Sequence, residues 1–493
     1  MEKALERLKK IDAEVRSLRQ AEAVLTWDQH TYMPERGVHE RSEQLALLAS
    51  LVHERETNPE IGDLLDKLGA SDANPLGSEE LSDDDRRLVR AFYRDFTQAT
   101  RLPADLVERM ARVTSVAQSV WAEARKKSDF SLFKPHLEEI VSLSLEVADR
   151  LGYEEHPYDA LLDQVGRVFR ELREGLVELV RKIDAAKQVD SRVVRQRFPA
   201  DRQEAFGRTV LEAMGFDMLR GRLDRSVHPF TISNGGDDVR LTTRYDEDYF
   251  PTALFGTIHE AGHGLYELGF NRDYHGTRLA DATSLGIHES MSRFWENVVG
   301  RSRAFWHHFY PEMKSVFPDQ LSGVDLEHFY KAINRVEPTL IRVEADEVTY
   351  SLHVILRFEL ERMLVGKELT VAELPDAWRE QSQDLLGIVP NNDANGVLQD
   401  IHWSGGMIGY FPTYALGNVY GLQFVSKLRD AMPDMDTRIR RGELAPIKAW
   451  LDENIHAPGR AKTPRELCSD VTGEPMTARY FLDYLNAKYA DVY

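Results

Sequence analysis

The sequence predicts a predominantly helical, all-α protein with one small β element. Three observations lead there. Apolar residues return at three- and four-residue steps over most of the chain, only one short stretch near residues 227–244 reads as strand, and no apolar run approaches the ~20 residues that span a bilayer.

Leu5, Leu8, Ile11, Val15 and Leu18 fall on one face of a first amphipathic helix, and Val38, Leu45, Leu48 and Val52 repeat the pattern. The stretch 70–85 is rich in Gly, Ser, Asp, Asn and Pro and reads as a loop. A helical run follows from Arg86 through Thr97, and Pro103 and Pro135 punctuate the next ones. To about Arg197 nearly everything reads as helix and short connection. Val227–Ser233 and Val239–Arg244 flank Asn234-Gly235-Gly236-Asp237, a hairpin turn signal. Pro229 has no N–H to give a ladder, so its arm belongs at an edge or has a break. After Phe250 the pattern is helical to Tyr493, with the Gly-rich stretch Ser404–Gly417 the clearest irregular segment. There is no internal repeat, low-complexity tract or long linker. Residues 1–493 are therefore read as one unit with two helical lobes, about 1–200 and about 201–493, because single cores stop growing near ~250–300 residues.

The formal net charge is -20 over 493 residues. Nucleic-acid binding needs clustered Lys and Arg to displace counterions, and the basic residues here are scattered. The start, MEKALERLKK, has no apolar core of a signal peptide. The single cysteine, Cys468, cannot form an internal disulfide and fits a reducing cytoplasm. It lies in a polar stretch and reads as a small buried or idle thiol rather than a nucleophile.

Thr257–Leu268 reads TIHEAGHGLYEL and contains His259-Glu260-Ala261-Gly262-His263, an H-E-x-x-H pattern. On a helix, positions i and i+4 share a face, so both imidazoles can bind one tetrahedral metal. Glu260 lies beside the first ligand, where its carboxylate can take a proton from the attacking water. The pattern arises by chance in roughly a few per cent of chains this long, so a third ligand is needed. Glu267 is ~12 Å of helix rise from His259 and cannot reach the ion. The next helix opens Ile287-His288-Glu289-Ser290. Glu289 is preferred as third ligand over His288, because two histidines and one carboxylate leave a position open for water. Glu296, ~10 Å further along, is assigned to a salt bridge.

These residues, with His228-Pro229-Phe230, Asp238-Val239-Arg240-Leu241-Thr242, Ile341-Arg342-Val343-Glu344-Ala345-Asp346 and Gly396-Val397-Leu398-Gln399-Asp400-Ile401-His402-Trp403, resemble the carboxypeptidase Taq family of metallocarboxypeptidases, gluzincin peptidases of the H-E-x-x-H type. Trp27-Asp28-Gln29 and Met33-Pro34 also look like the family, and the resemblance covers essentially the whole chain. One departure is Met291, where glutamine is expected after His-Glu-Ser. The resemblance implies a helical fold around a deep groove, one divalent metal per chain, and a homodimer. It also implies removal of single C-terminal residues with broad specificity, proline disfavoured. Zinc is the first choice of metal, and cobalt or manganese suits the same ligands.

Peptide hydrolysis also needs charge stabilisation at the oxyanion. Tyr414 is the first candidate, Tyr410 the second, and His402 the histidine partner; packing rings and a structural histidine held by Asp400 are the alternatives. An exopeptidase must bind a free carboxylate, for which arginine's planar fork is suited. Arg342 is the first choice and Arg240 the second, with Gln399 and Asp400 in the same motif group and His228 helping to close the groove. Two other readings stay open at this point. One is an oligoendopeptidase on the same fold; the other is a catalytically silent helical binding protein, against which retention of Glu260 argues.

Overall fold

The amphipathic pattern at the start of the chain buries Leu8, Ile11 and Val15 along the helix Glu2–Thr31 in the computed structural model, which describes residues 1–160 and 165–493. The chain forms two units, each built from three separate segments. The first comprises Met1–Ala99, Asp190–Ile333 and Tyr420–Met476; the second comprises Thr100–Val189, Asn334–Val419 and Thr477–Tyr493. No helix among the described residues is long and apolar enough to cross a membrane.

The first unit holds a three-stranded sheet in the order β1-β3-β2, with β1 (Gly221–Arg225), β2 (Thr231–Ser233) and β3 (Val239–Thr243). The expected hairpin is β2 with β3, antiparallel and registered Thr231↔Leu241 and Ser233↔Val239. Pro229 lies just before β2, an edge strand, so its missing N–H disturbs no ladder. The parallel strand β1, registered Gly221↔Val239 through Arg225↔Thr243, is an addition to the expected hairpin. Its five residues, Gly-Arg-Leu-Asp-Arg, carry three charges and give no apolar alternation to read.

Beneath the sheet runs the helix Pro251–Leu268, which begins on a proline whose fixed φ suits the first helical position. It buries Phe255, Ile258 and Leu265, each contributing on the order of 1.5–3 kcal/mol. Two glycines let neighbours approach it. A Cβ on Gly262 would lie 2.6 Å from the Met291 carbonyl oxygen and the Ser292 Cα, and one on Gly264 would lie 2.8 Å from Leu241 and Phe216. Gly262 therefore sets how closely the helix Leu285–Arg293 packs. That second helix is capped by Ser284, which accepts from the Ile287 N–H, and runs straight into a π-helical segment, Phe294–Gly300.

The core of the second unit is the helix Thr349–Val365, buried on nearly every side by Leu352, Val354, Ile355, Leu356, Phe358 and Leu360. His353, Arg357 and Glu361 recur on it at four-residue steps, a polar ladder inside an apolar body. Pro135 does not break the chain as expected; it lies inside the helix Phe130–Leu151. Only the bond to the Ser131 carbonyl is forgone that near the N-terminus. The Gly-rich stretch is irregular only to Phe411, because a helix Pro412–Ala431 starts there, and the unit boundary falls within it. Cys468 is buried in the first unit, and burial pushes its thiol up to about 11.

Candidate active site

In the first unit the two helices bring His259, His263 and Glu289 together, with one ligand atom from each lying within 4.8 Å of the others. Glu289 Oε2 is 3.4 Å from His263 Nε2 and 3.7 Å from His259 Nε2. Ligand atoms about 2.0–2.1 Å from a tetrahedral ion are about 3.3 Å apart, so the donor set fits one divalent metal without rearrangement.

The outer nitrogens of both histidines are engaged, which fixes their tautomers. His259 Nδ1 donates to Glu296 Oε2 at 2.9 Å. The wide π turn carries Glu296, which is also gripped by Arg293 and Arg301. His263 Nδ1 lies 2.5 Å from His288 Nδ1, and His288 Nε2 donates to Glu267 Oε1 at 2.9 Å. One ligand thus leans on a carboxylate directly and the other through an imidazole. Glu267 and His288 stand behind the donor set rather than in it. Glu289 is held by Arg293 Nε on Oε1 at 2.7 Å and by the Ser292 hydroxyl on Oε2 at 3.2 Å. Met291 is fully buried, so the position expected to be glutamine fills core space while its neighbours hold Glu289.

Glu260 is buried, and burial raises its pKa, with His259 and a hydrogen bond from Thr231 opposing the shift. The Thr231 hydroxyl lies 2.7 Å from Glu260 Oε2 and 2.9 Å from the Glu260 carbonyl oxygen. Strand β2 thereby fixes this carboxylate. Sequence reasoning did not single out Thr231; its only signal is that it follows His228-Pro229-Phe230. His228 is exposed on the loop between β1 and β2, and its carbonyl accepts from the Ser226 hydroxyl. Arg240 forks onto Asp238 at 2.7 and 2.8 Å and sits 4.3 Å above the Trp27 ring.

The second unit gathers the other candidates. Arg342 is buried, with Nε and one terminal nitrogen on Asp400 Oδ1 at 3.1 and 3.0 Å and the other on the Tyr350 hydroxyl at 3.1 Å. Its backbone N–H is taken by Gln399 Oε1 at 3.0 Å. Gln399 spends its amide on the carbonyls of Leu340 and Asn395. Asp400 also binds the fully buried Arg357 at 2.6 Å. Burial opposes its ionisation, but Arg357 and Arg342 hold its carboxyl well below the usual range. Two buried guanidiniums thus share the Asp400 carboxylate. Arg357 was not legible in the sequence, since it looks like any other helix position.

His402 Nε2 is 3.1 Å from the Tyr414 hydroxyl, and the Tyr410 ring centroid is 5.6 Å from that of His402. His402 Nδ1 is 4.0 Å from Asp400, beyond hydrogen-bond reach, and has no hydrogen-bond partner among the described residues. Burial lowers the His402 pKa, Asp400 opposes, and Arg342 and Arg357 add to the shift, leaving it at about 4. On the same helix as Arg357, His353 donates to the Thr339 carbonyl at 3.0 Å, and burial with Arg357 pushes it down to about 3.

A histidine depressed on folding stabilises above its unfolded pKa of about 6.5, and that stability is lost as pH falls through the folded value. Between pH 6 and 4.5, His353 therefore contributes a slope of about 1.4 kcal/mol per pH unit. Denaturant unfolding at several pH values checks this. His353→Gln is expected to flatten the acid limb by about one proton, and parallel limbs in both proteins would contradict the assignment.

A helical fold in which two histidines and one carboxylate could hold a divalent ion, with the buried carboxylate of Glu260 beside them, is the arrangement expected of a metal-dependent hydrolase. The chain belongs to the carboxypeptidase Taq (M32) metallopeptidase family, which it matches over residues 7–489. It is 43% identical over 512 residues to thermostable carboxypeptidase 1 of Thermus thermophilus, covering 100% of this chain and 99% of that one. It is 39% identical over 484 residues to carboxypeptidase 1 of Bacillus subtilis, covering 96% and 95%. The crystal structure of the M32 carboxypeptidase from Deinococcus radiodurans superposes with a TM-score of 0.95 at 40% identity, covering 99% of each chain. The chain is thus a metallocarboxypeptidase: a peptide hydrolase that uses a divalent metal ion.

Proposed function

We propose that this enzyme removes single residues from the C-terminus of cytoplasmic peptides with broad specificity, proline disfavoured, as a homodimer with one zinc ion per chain. The observation that carries the reading is the spacing of His259, His263 and Glu289, 3.4 and 3.7 Å between ligand atoms. When bound there, the metal supplies Lewis acidity to the attacking water and the scissile carbonyl.

The chain's own groups do the rest. Glu260 receives the proton of the attacking water on its carboxylate, with Thr231 fixing Oε2 so that Oε1 is the oxygen offered. Glu260 then passes that proton to the leaving amine. Tyr414 donates its hydroxyl to the oxyanion, with Tyr410 beside it, and neutral His402 orients Tyr414 and the substrate carbonyl. Arg342 binds the terminal carboxylate, and Gln399 and Asp400 act through Arg342, whose N–H and guanidinium they hold. Arg240 and His228 are assigned to the substrate on the β3 side. An extended peptide cannot add to Val239–Thr242, because β3 is paired on both sides, by β1 and by β2, and offers no free edge.

Metal removal tests the reading. Chelation is expected to abolish turnover, and zinc, then cobalt or manganese, to restore it at one ion per chain. His263→Ala is expected to retain no ion at equal concentration. Full activity in the metal-free protein, or stoichiometric binding by His263→Ala, would overturn the assignment.

A further inference from the structure

Glu361 is fully buried on the helix Thr349–Val365, and the reaction described above leaves it unused. Its two oxygens accept three hydrogen bonds from separate segments. Oε1 takes the indole N–H of Trp403 at 2.7 Å. Oε2 takes the Tyr158 hydroxyl at 2.6 Å and the backbone N–H of Gly409 at 3.1 Å. Burial raises its pKa to about 7 against all three donors. A buried acid kept at that cost, with every contact a donor, is built to accept.

Two of those donors bracket the candidate catalytic groups. Trp403 follows His402, and Gly409 precedes Tyr410. Between them the backbone turns through Gly406 at φ 73° and Gly409 at φ 89°, left-handed conformations that favour glycine. The reversal carries His402 back over the following rings: its centroid is 4.4 Å from that of Phe411, and Nε2 meets the Tyr414 hydroxyl at 3.1 Å. One carboxylate thus ties both ends of the turn.

We propose that Glu361 is a positioning residue that holds Trp403 and Gly409 on its two oxygens and thereby sets His402 against Tyr410 and Tyr414. The proposal rests on the roles given above to His402 and Tyr414. Its chemistry requires an acceptor on both sides. A glutamine offers one acceptor and one amide donor. The Tyr158 hydroxyl can turn to accept from that donor, but the Trp403 and Gly409 N–H groups cannot. Glutamine therefore serves one end of the turn and leaves the other donor against donor.

The test is a set of variants read by kcat, KM, metal content and far-ultraviolet dichroism. Glu361→Gln is expected to lower kcat by about tenfold or more with KM and metal content nearly unchanged, since sub-ångström displacement of a reacting group is costly. Trp403→Phe removes one donor, so in that background Glu361→Gln is expected to cost little further: the amide can face the ring while its oxygen serves Gly409 and Tyr158. A packing role would give the same loss in both backgrounds and would overturn the proposal. In His402→Ala, Glu361→Gln is expected to add no further loss in kcat. A lowered kcat in His402→Ala beside full activity in Glu361→Gln overturns the proposal alone. Unchanged kcat in His402→Ala contradicts the role of His402 and overturns the proposal with it. Should Glu361→Gln fail to fold, Trp403→Phe reads the same tie through lowered kcat, and unchanged kcat there is equally fatal.

Discussion

Glu260→Gln is expected to keep its metal and lose turnover by about 10²–10⁴-fold, the range that a positioned general base contributes. The amide is nearly the same size as the carboxylate and can still accept from Thr231, so the β2 contact at 2.7 Å survives. The donor set does not include Glu260, so metal content should match the parent protein. What the amide lacks is basicity. It cannot take the proton of the attacking water, and no second carboxylate is assigned to that task. Metal analysis and single-turnover kinetics on the same sample check this, and activity within a few-fold of the parent would remove Glu260 from the mechanism.

The second large effect falls on Arg342→Met. The side chain is buried and its guanidinium bonds Asp400 and Tyr350. Losing it has two consequences of different kind. The cluster of Arg342, Arg357 and Asp400 goes from an excess positive charge to neutral, so a terminal carboxylate has no charge to meet. Charge-assisted hydrogen bonds are worth about 1.5–3 kcal/mol, which is roughly 10- to 100-fold in kcat/KM on free-acid peptides. Stability should fall as well, by on the order of 3 kcal/mol, because Asp400 loses one of its two buried partners. The kinetic loss is specific to the free acid. An equal loss on an amidated peptide would mean that Arg342 is structural only.

The legible part of this protein was whatever a local spacing encodes. Leu8, Ile11 and Val15 gave the first helix because three- and four-residue steps put them on one face. Asn234-Gly235-Gly236-Asp237 gave the β2–β3 pairing because that turn needs residues free of a Cβ or tolerant of left-handed backbone. His259 and His263 stood out as a candidate metal pair for the same reason, being one helical turn apart. Strand β1 escaped because its partner β3 is not adjacent in sequence and its own residues are mostly charged. Pro135 misled because a proline near a helix start forfeits only one bond.

The supporting groups were hidden for a related reason. Thr231, Arg293, Arg357 and Glu361 make their contacts across 29, 4, 43 and 42 residues, with Glu260, Glu289, Asp400 and Trp403. Only Arg293 lies within a helical turn of its partner, and a helical Glu-to-Arg step is too common to stand out. The segments forming the two units show the same limit. Contact, not chain order, groups residues 1–99 with 190–333 and 420–476.

The most direct test of the account uses one N-terminally blocked peptide prepared with a free and with an amidated C-terminus. Each is incubated with metal-loaded enzyme and after chelation, and the products are followed by mass. The expected result is stepwise loss of single C-terminal residues from the free acid alone, slowed at a terminal proline and abolished by the chelator. Internal cleavage of both forms at similar rates would contradict it, and would take the carboxylate-binding role of Arg342 with it.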